Sequence, residues 1–329
     1  MNSILKCFTV IGLYFFVLMT KMVTSSIVEE CSTIDNLNEE RLLSLGKIIV
    51  PEFEGKSKGD AGKICVIGGS TEYTGAPYFS AISSLKVGAD LVFVITTENA
   101  APVIKSYSPD LIVYPYLSSK NLPIIETLLK KMDIIIIGPG LGREENTMTL
   151  TYDIIEACKM LKKPLIIDAD GLYAVSNNLT IIKGYPLPGA ILTPNNKEAK
   201  RFITAISSNS TWYTFWGDNV SVLHKGGEDH YYSSIASFDW TLSKGGSGRR
   251  AGGQGDILSG ALGTFYTWAL KYDLCDNEKS VQLAQSVAAF LSARFTRICN
   301  YKAFCIHGRS MTASDMINQI HASFDALFL

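Results

Sequence analysis

The stretch DIIIIGPGLG, residues 133–142, is a run of four isoleucines between an aspartate and a glycine turn. A strand with one wet face alternates apolar and polar residues. Four consecutive isoleucines need cover on both faces, the situation of a central strand in a parallel sheet with helices above and below. The flanking text repeats the design. ICVIGG (64–69), LVFVIT (91–96), LIVYPY (111–116), PLIIDADGL (164–172), ILTPN (191–195) and NVSVLHKGG (219–227) are short, apolar and strand-like. Between them lie segments with helical spacing: APYFSAISSLKVGA (76–89), AAPVIKSY (100–107), LPIIETLLKKM (122–132), TMTLTYDIIEACKML (147–161) and KEAKRFI (197–203). Strand and helix in alternation predict an α/β fold of three layers, αβα, around a mostly parallel central sheet. HYYSSIASFDWTL (230–242) lacks helical period and reads as a hairpin, and three helices follow, from Asp256, from Glu278, and from Thr312 to Phe328.

The chain has 329 residues, 47% of them hydrophobic and 19% charged, with a formal net charge of -1. That composition supports a large core and gives no general basic face, so neither nucleic acid nor stable membrane association of the mature domain is expected. The seven cysteines are scattered without a CxxC pair, which argues against a disulfide framework or a zinc site. The apolar run FTVIGLYFFVLM (8–19) after Lys6 is short for a membrane span and suits a secretory signal. A mitochondrial presequence is the alternative, and a cytoplasmic protein the default without either. Residues 1–40 are therefore read as a poorly ordered leader or targeting segment and 41–329 as a single domain, with no repeat or long linker inside it.

In open α/β sheets ligands bind outside the carboxyl ends of the strands. Those ends here carry Gly68-Gly69-Ser70, Gly138-Pro139-Gly140, Asp168-Ala169-Asp170-Gly171, Thr193-Pro194-Asn195 and Lys225-Gly226-Gly227. The densest loop is GSGRRAGGQGD (246–256), which runs into the apolar helical stretch ILSGALGTFYTWAL. Glycines bring backbone amides close to a ligand, and a helix N-terminus adds unpaired N–H groups, so the loop suits phosphoryl oxygens. Arg249 and Arg250 can add charge-assisted hydrogen bonds. Asp256 has two readings: an N-cap of its helix, or a general base that takes a proton from a substrate hydroxyl during phosphoryl transfer. No GxxxxGK[ST] loop occurs, and GGSTEYTG (68–75) lacks the glycine spacing of a dinucleotide fingerprint.

Seven blocks in order, GGSTEYTGAPYFSAISSLKVGADL, IIGPGLGR, IDADGL, LTPNNKE, KGGED, GRRAGGQGDILSG and HGRSMTASDMI, resemble the ADP/ATP-dependent NAD(P)H-hydrate dehydratases, a branch of the ribokinase-like fold. The resemblance covers about residues 45–329, and GGQGD with Gln254 is closer to this branch than to the GAGD of sugar kinases. It implies a repair lyase. ATP phosphorylates the ring hydroxyl of (6S)-NADHX or NADPHX, phosphate is eliminated, and NADH or NADPH returns with ADP and phosphate. Magnesium is the implied cofactor, ATP the co-substrate, and NADHX and NADPHX the small-molecule partners; a homo-oligomer is compatible with the family. By matching blocks, Asp256 is the implied catalytic residue. Lys225, Gly226, Gly227, Glu228 and Asp229, with Gly246, Ser247, Gly248, Arg249, Arg250, Ala251, Gly252, Gly253, Gln254 and Gly255, are the implied ATP site. Gly140 and Gly142, with Asn195, Asn196, Lys197, Glu198, Ala199, Lys200 and Arg201, and Asp256 itself, are the implied hydrate site. Asp168 and Asp170 are implied to orient polar groups or magnesium; no metal ligand set follows.

Each assignment has a plainer counterpart. Lys225 can be a solvated lysine after a strand, Glu198 an acid favoured by a helix dipole, the glycines of GPGLG a tight turn, Tyr73 and Tyr78 packing residues, and His307-Gly308-Arg309 a helix start. The chain is also short between Arg201 and Asn219, where the family carries a longer helical segment, and Ala251 stands where a cysteine is common. A small-alcohol kinase of the same fold and a catalytically silent nucleotide-binding protein are the alternatives.

Overall fold

A computed structural model describes residues 37–52, 54–207, 211–275 and 279–329. The first described residues, from Leu37, lie ahead of the boundary placed at 41. Asn38 caps helix α1 (Glu39–Ile49) by accepting from the Arg41 amide, and Leu42, Leu45 and Ile49 are buried. The apolar run proposed as a leader lies outside the described residues. Within the described residues no helix is long and apolar enough to cross a membrane.

The remaining elements follow in chain order as β1 (Lys63–Ile67), α2 (Gly75–Val87), β2 (Leu91–Ile95), α3 (Ala101–Tyr107), β3 (Ile112–Tyr114), α4 (Leu122–Leu129) and β4 (Ile134–Ile137). Then come α5 (Glu145–Met160), β5 (Leu165–Ile167), α6 (Ala169–Asn177), β6 (Ala190–Leu192), α7 (Asn196–Ile206), β7 (Val220–His224), β8 (Asp229–Tyr232) and β9 (Trp240–Leu242). Four helices close the chain: α8 (Gln254–Tyr272), α9 (Ser280–His307), α10 (Ala313–Asn318) and α11 (Ile320–Phe328). The strands form one sheet in the order β3-β2-β1-β4-β5-β6-β7-β8-β9, with β1 to β7 parallel and β8 and β9 added antiparallel.

Side chains alternate across this sheet into two cores. Ile64, Val66, Ile134, Ile136 and Ile166 pack with α1, α2, α8, α9, α10 and α11. Cys65, Ile67, Ile135, Ile137 and Ile167 pack with α4, α5, α6 and α7. The isoleucines of β4 divide two and two between these layers, so the strand has no polar position. The three-layer αβα architecture expected from the sequence is what forms.

Some boundaries depart from expectation. PLIIDADGL is a strand only as far as Ile167; Asp168 then caps α6 by accepting from the Ala169 amide. The last helix breaks at Gln319 into α10 and α11. The helix expected from Glu278 begins at Ser280, and Glu278 lies outside the described residues. Cys65, Cys158, Cys299 and Cys305 are free, whereas Cys275 is disulfide-bonded. The short segment after Arg201 closes with an aromatic plug, in which Phe202 stacks on Trp212 at 6.0 Å and meets Trp216 edge-on at 5.2 Å.

The sheet order reverses between β1 and β4, the place where connections leave to opposite sides and a crevice opens. Glycines let the two strand ends close on each other there. Gly69 donates to the Pro139 carbonyl at 3.0 Å, and a Cβ on Gly68 would collide with that same oxygen.

Candidate active site

The main cavity, about 700 Å³, opens beside the carboxyl ends of β6 and β7 and the N-terminus of α8. Its walls come from four segments distant in sequence: Asn195, Asn196 and Lys197; Lys225, Gly226, Gly227 and Asp229; Gly246, Arg250, Ala251, Gln254 and Gly255; and Ala293, Thr296, Arg297 and Asn300 on α9. The fold thus joins members of both sets proposed from sequence in one hollow.

Helix α8 starts two residues earlier than expected. Its N-cap is Gly253, with φ +91°, and a Cβ there would come within 2.7 Å of both the Phe79 ring and the Ala313 methyl. Asp256 therefore sits inside the first turn and is not the cap. Its carboxylate makes no hydrogen bond among the described residues. Burial, then repulsion from Asp168, pushes it up to about 7, with Lys225 pulling the other way. A carboxyl that titrates near neutrality is matched to proton transfer at neutral pH.

Beside it lies an ion pair. The Lys225 ammonium donates to Asp168 Oδ1 at 2.7 Å, and the two side chains are 16% and 3% exposed. Burial alone lowers the Lys225 pKa, but Asp168, Glu198 and Asp256 more than offset it, and the net direction is upward. The ammonium stays charged in a site of converging acids. Gly255 has no side chain where a Cβ would lie 3.3 Å from Lys225 Nζ, so the backbone of the helix start reaches the pair directly. Glu198 is raised by burial first. It also closes a capping box: Asn195 Oδ1 accepts from the Lys197 and Glu198 amides, and Glu198 Oε2 accepts from the Asn195 amide at 2.8 Å.

The KGGED turn is held from behind by a residue that the sequence reading did not select. Arg297 Nε donates to Asp229 Oδ2 at 2.7 Å, and Nη2 donates to the Gly227 carbonyl at 2.9 Å. Asp229 Oδ1 accepts from the Gly226 amide. Both Asp229 oxygens are thus used internally, a position that braces the turn. Asn300 does the same for the arginine loop, accepting from the Ser247 amide at 2.6 Å and donating to the Arg249 carbonyl. Ala293, Thr296, Arg297 and Asn300 recur at helical spacing on the face of α9 that lines the cavity.

The other expected residues are placed as follows. Arg250 lines the main cavity and also a second hollow, which it shares with Arg249, Phe304 and Arg309; Arg249 lines only the second. Ser247 and Gly248 belong to the loop without lining the main cavity, and Gly252 is exposed. Glu228 is exposed, 3.9 Å from His230. Ala199 is buried in the core on the α7 side, Lys200 and Arg201 flank a groove beyond Lys197, and Gly140 and Gly142 stand at the end of β4. Gly140 backs onto Tyr73, and the Gly142 amide donates to Asp170 Oδ2 at 3.1 Å. Asp170 also takes Arg143 Nε at 2.8 Å. Tyr73 is exposed, and Tyr78 packs against Phe79 and Tyr107.

Among the described residues no cluster of three or more histidines, cysteines or acids could cage a metal. Asp168 is the carboxylate on hand. Its Oδ1 holds Lys225 and the Ala169 amide, and its Oδ2 makes no hydrogen bond among the described residues. One carboxylate plus phosphate oxygens is an ordinary donor set for magnesium, so the residues fit an ion carried by a nucleotide.

Comparison with known proteins identifies the lineage of the chain. Residues 64–321 match the family model described as NAD(P)H-hydrate dehydratase. An ATP-dependent (S)-NAD(P)H-hydrate dehydratase of Aedes aegypti is 46% identical over 295 residues, covering 88% of this chain and 86% of the relative. Among solved structures, a hypothetical protein of Streptococcus mutans superposes with a TM-score of 0.71 at 20% identity, over 89% of this chain and 100% of that one. An ADP/ATP-dependent NAD(P)H-hydrate dehydratase of Bacillus subtilis, co-crystallised with ATP and Mg2+, superposes at 0.60 and 18% identity, over 88% and 98%. The two structures show the ribokinase-like fold; the family model and the close relative show the lineage, and the chain belongs to the NAD(P)H-hydrate dehydratase family.

Proposed function

We propose that this protein dehydrates (6S)-NADHX and NADPHX to NADH and NADPH at the expense of ATP, releasing ADP and phosphate. The observation that carries the mechanism is Asp256: a carboxyl with no hydrogen-bond partner among the described residues, raised to about 7, set in the first turn of α8 beside a charged lysine. Asp256 takes the proton from the ring hydroxyl as that oxygen attacks the γ-phosphorus of ATP, and the bond to the β-phosphate oxygen breaks. Amides of the 246–256 loop and Lys225 face the charge on the transferring group. Hydroxide is a poor leaving group and phosphate a good one. The ring C–O bond then breaks with phosphate taking the electron pair, the adjacent ring carbon releases a proton, and the double bond of the dihydronicotinamide re-forms.

ATP lies against Lys225, Gly226, Gly227, Gly246, Arg250, Ala251, Gln254 and Gly255, with Arg297 and Asn300 holding those segments in place. The hydrate approaches from the β4–β5 side, past Gly140 and Gly142 and along Asn195–Lys197. Magnesium would sit on the ATP phosphates beside Asp168 and neutralise phosphate charge. The described body from Leu37 onward acts as one catalytic domain, and the upstream apolar run serves as a targeting segment.

The test uses hydrated NADH, magnesium and ATP with the purified protein. The expected result is recovery of the dihydronicotinamide absorbance with one phosphate released per ring restored. Consumption of ATP with a stable phosphorylated alcohol and no recovered absorbance would make the protein a kinase and overturn the reading.

A further inference from the structure

The block GGSTEYTG (68–75) joins β1 to α2 and takes no part in the function proposed above, although it stands across the β1–β4 crevice from the GPGLG turn. The two loops interlock. A Cβ on Gly140 would come within 2.9 Å of both the Tyr73 Cβ and the Tyr73 carbonyl oxygen, and Gly142 faces Ser70, whose Cβ and Oγ would each lie 3.7 Å from a Cβ there. Gly140 and Gly142, with φ +65° and +79°, thus bring the turn up against the block with no side chain between them. The block is also braced within itself and from outside. The Ser70 amide donates to the Tyr73 carbonyl at 3.2 Å, and the Thr74 and Tyr107 hydroxyls are hydrogen-bonded at 2.8 Å.

What this braced corner presents is the side chain of Tyr73. It is 57% exposed, and among the described residues its ring has no aromatic or cationic neighbour and its phenol no hydrogen bond. A lone exposed tyrosine is ordinary; this one differs in its address. It rests on Gly140, and the amide of the neighbouring Gly142 donates to Asp170, one of the acids that oppose ionisation of Asp256. A ring without a partner therefore stands beside the path of the hydrate, in the neighbourhood of the base.

We infer that Tyr73 covers one face of the hydrated nicotinamide ring and thereby selects the C6 epimer that the site dehydrates. The inference rests on the function proposed above. The hydrate keeps N1, C2, C3 and the carboxamide as one flat conjugated segment, and a flat segment stacks on a phenol ring. C6 is tetrahedral, so its hydroxyl leaves on one face of the ring. With Tyr73 on one face, the other is open to Asp256 and the γ-phosphate. The (6S) hydroxyl is then presented to the base, and the (6R) hydroxyl is turned into the tyrosine.

The test uses the full chain with Tyr73→Ala, Tyr73→Leu and Tyr73→Phe, assayed on the separated (6S) and (6R) hydrates at saturating ATP and then with varied ATP. Tyr73→Ala is expected to raise the KM for the (6S) hydrate about tenfold, to lower the preference for (6S) over (6R) in kcat/KM by a similar factor, and to leave the KM for ATP unchanged. Tyr73→Phe keeps the ring and should behave as wild type; Tyr73→Leu fills space without a flat face and should not. Binding of NADH, which carries the same conjugated segment, is followed by its own fluorescence and needs no turnover; it should weaken about tenfold in Tyr73→Ala and hold in Tyr73→Phe. Unchanged hydrate KM in Tyr73→Ala, with wild type active, would overturn the inference, and so would an equal rise in the KM for ATP, the mark of a site that has lost its shape. A raised hydrate KM with the epimer preference intact would overturn the selective role. Wild-type protein inactive on the hydrates, with NADH binding still weakened by Tyr73→Ala, would refute the proposed function and leave the ring contact standing.

Discussion

Two walls of the main cavity are built on opposite rules. The wall made by Lys225–Asp229 is closed in on itself: Arg297 spans Asp229 and two glycine carbonyls, and Asp229 returns to the Gly226 amide. The wall made by the start of α8 is lined by Gln254 and Gly255; Asp256, next in the chain and not itself among the lining residues, is left without a hydrogen bond among the described residues and in an environment that resists its charge. Pairing gives the first wall position, because a buried charge with every lone pair engaged has one low-energy geometry. Lack of pairing gives the second wall reactivity, because a carboxylate already engaged by donors has little affinity left for a substrate proton. Lys225 ties them together, held by Asp168 and facing the helix start across Gly255.

The largest test of that contrast is Asp256→Asn. It removes the base and keeps the shape. Turnover should fall about a thousandfold, the range for loss of a general base, while nucleotide affinity measured by calorimetry stays within about tenfold. A comparable collapse of binding would make the acid structural, like Asp229. The substitution also has a stability signature. The folded-state pKa, about 7, lies above the unfolded carboxylate value, so between roughly pH 4 and 7 the folded state holds a proton that the unfolded chain has lost. Stability from this group therefore falls as pH rises through that window. Asp256→Asn should gain stability relative to wild type across it and hold the gain above pH 7 in denaturant titrations.

Arg297→Ala probes the other wall. It strands Asp229, whose side chain is 7% exposed, and should cost about 3 kcal/mol of stability by urea unfolding, with a raised KM for ATP. Adding Asp229→Asn should recover part of both. A single substitution that left stability untouched would show that the brace is decorative.

The same contrast marks what a sequence discloses. The four isoleucines of β4 and the glycine turns were readable because burial on two faces and positive φ each demand a narrow set of residues. The base Asp256 was readable because it closes a glycine-rich run; its place inside the first turn was not, since only the packing of Gly253 against Phe79 and Ala313 fixes where the helix begins. Arg297 and Asn300 were missed because they lie about seventy residues beyond the turn that Arg297 holds, and nothing local distinguishes a bracing arginine from a solvated one. Arg249 and Arg250 are neighbours in one loop, and the fold alone brings Arg250 to the main cavity while Arg249 lines only the second hollow.

Asp168→Asn should move the acid limb of kcat/KM below pH 7. The lost carboxylate no longer opposes ionisation of Asp256, and the released Lys225 is free to favour it; both act in the same direction. A limb that stays in place or moves upward would separate Asp168 from the tuning of the base.

The smallest effect is expected at the two arginines, and it bears on how open the second wall is. Arg250 lines the main cavity and also donates to the Gly226 carbonyl at 3.4 Å, so it bridges the walls at their rim. It is exposed, and exposed charges contribute little. Arg250→Ala should raise the KM for ATP no more than about fivefold, with kcat unaltered. Arg249 faces away and spends one Nη1 bond on the Arg250 carbonyl, so Arg249→Ala should change the KM for ATP less than Arg250→Ala does. The reverse order would mean that the loop turns over when nucleotide binds, bringing Arg249 inward against the phosphates.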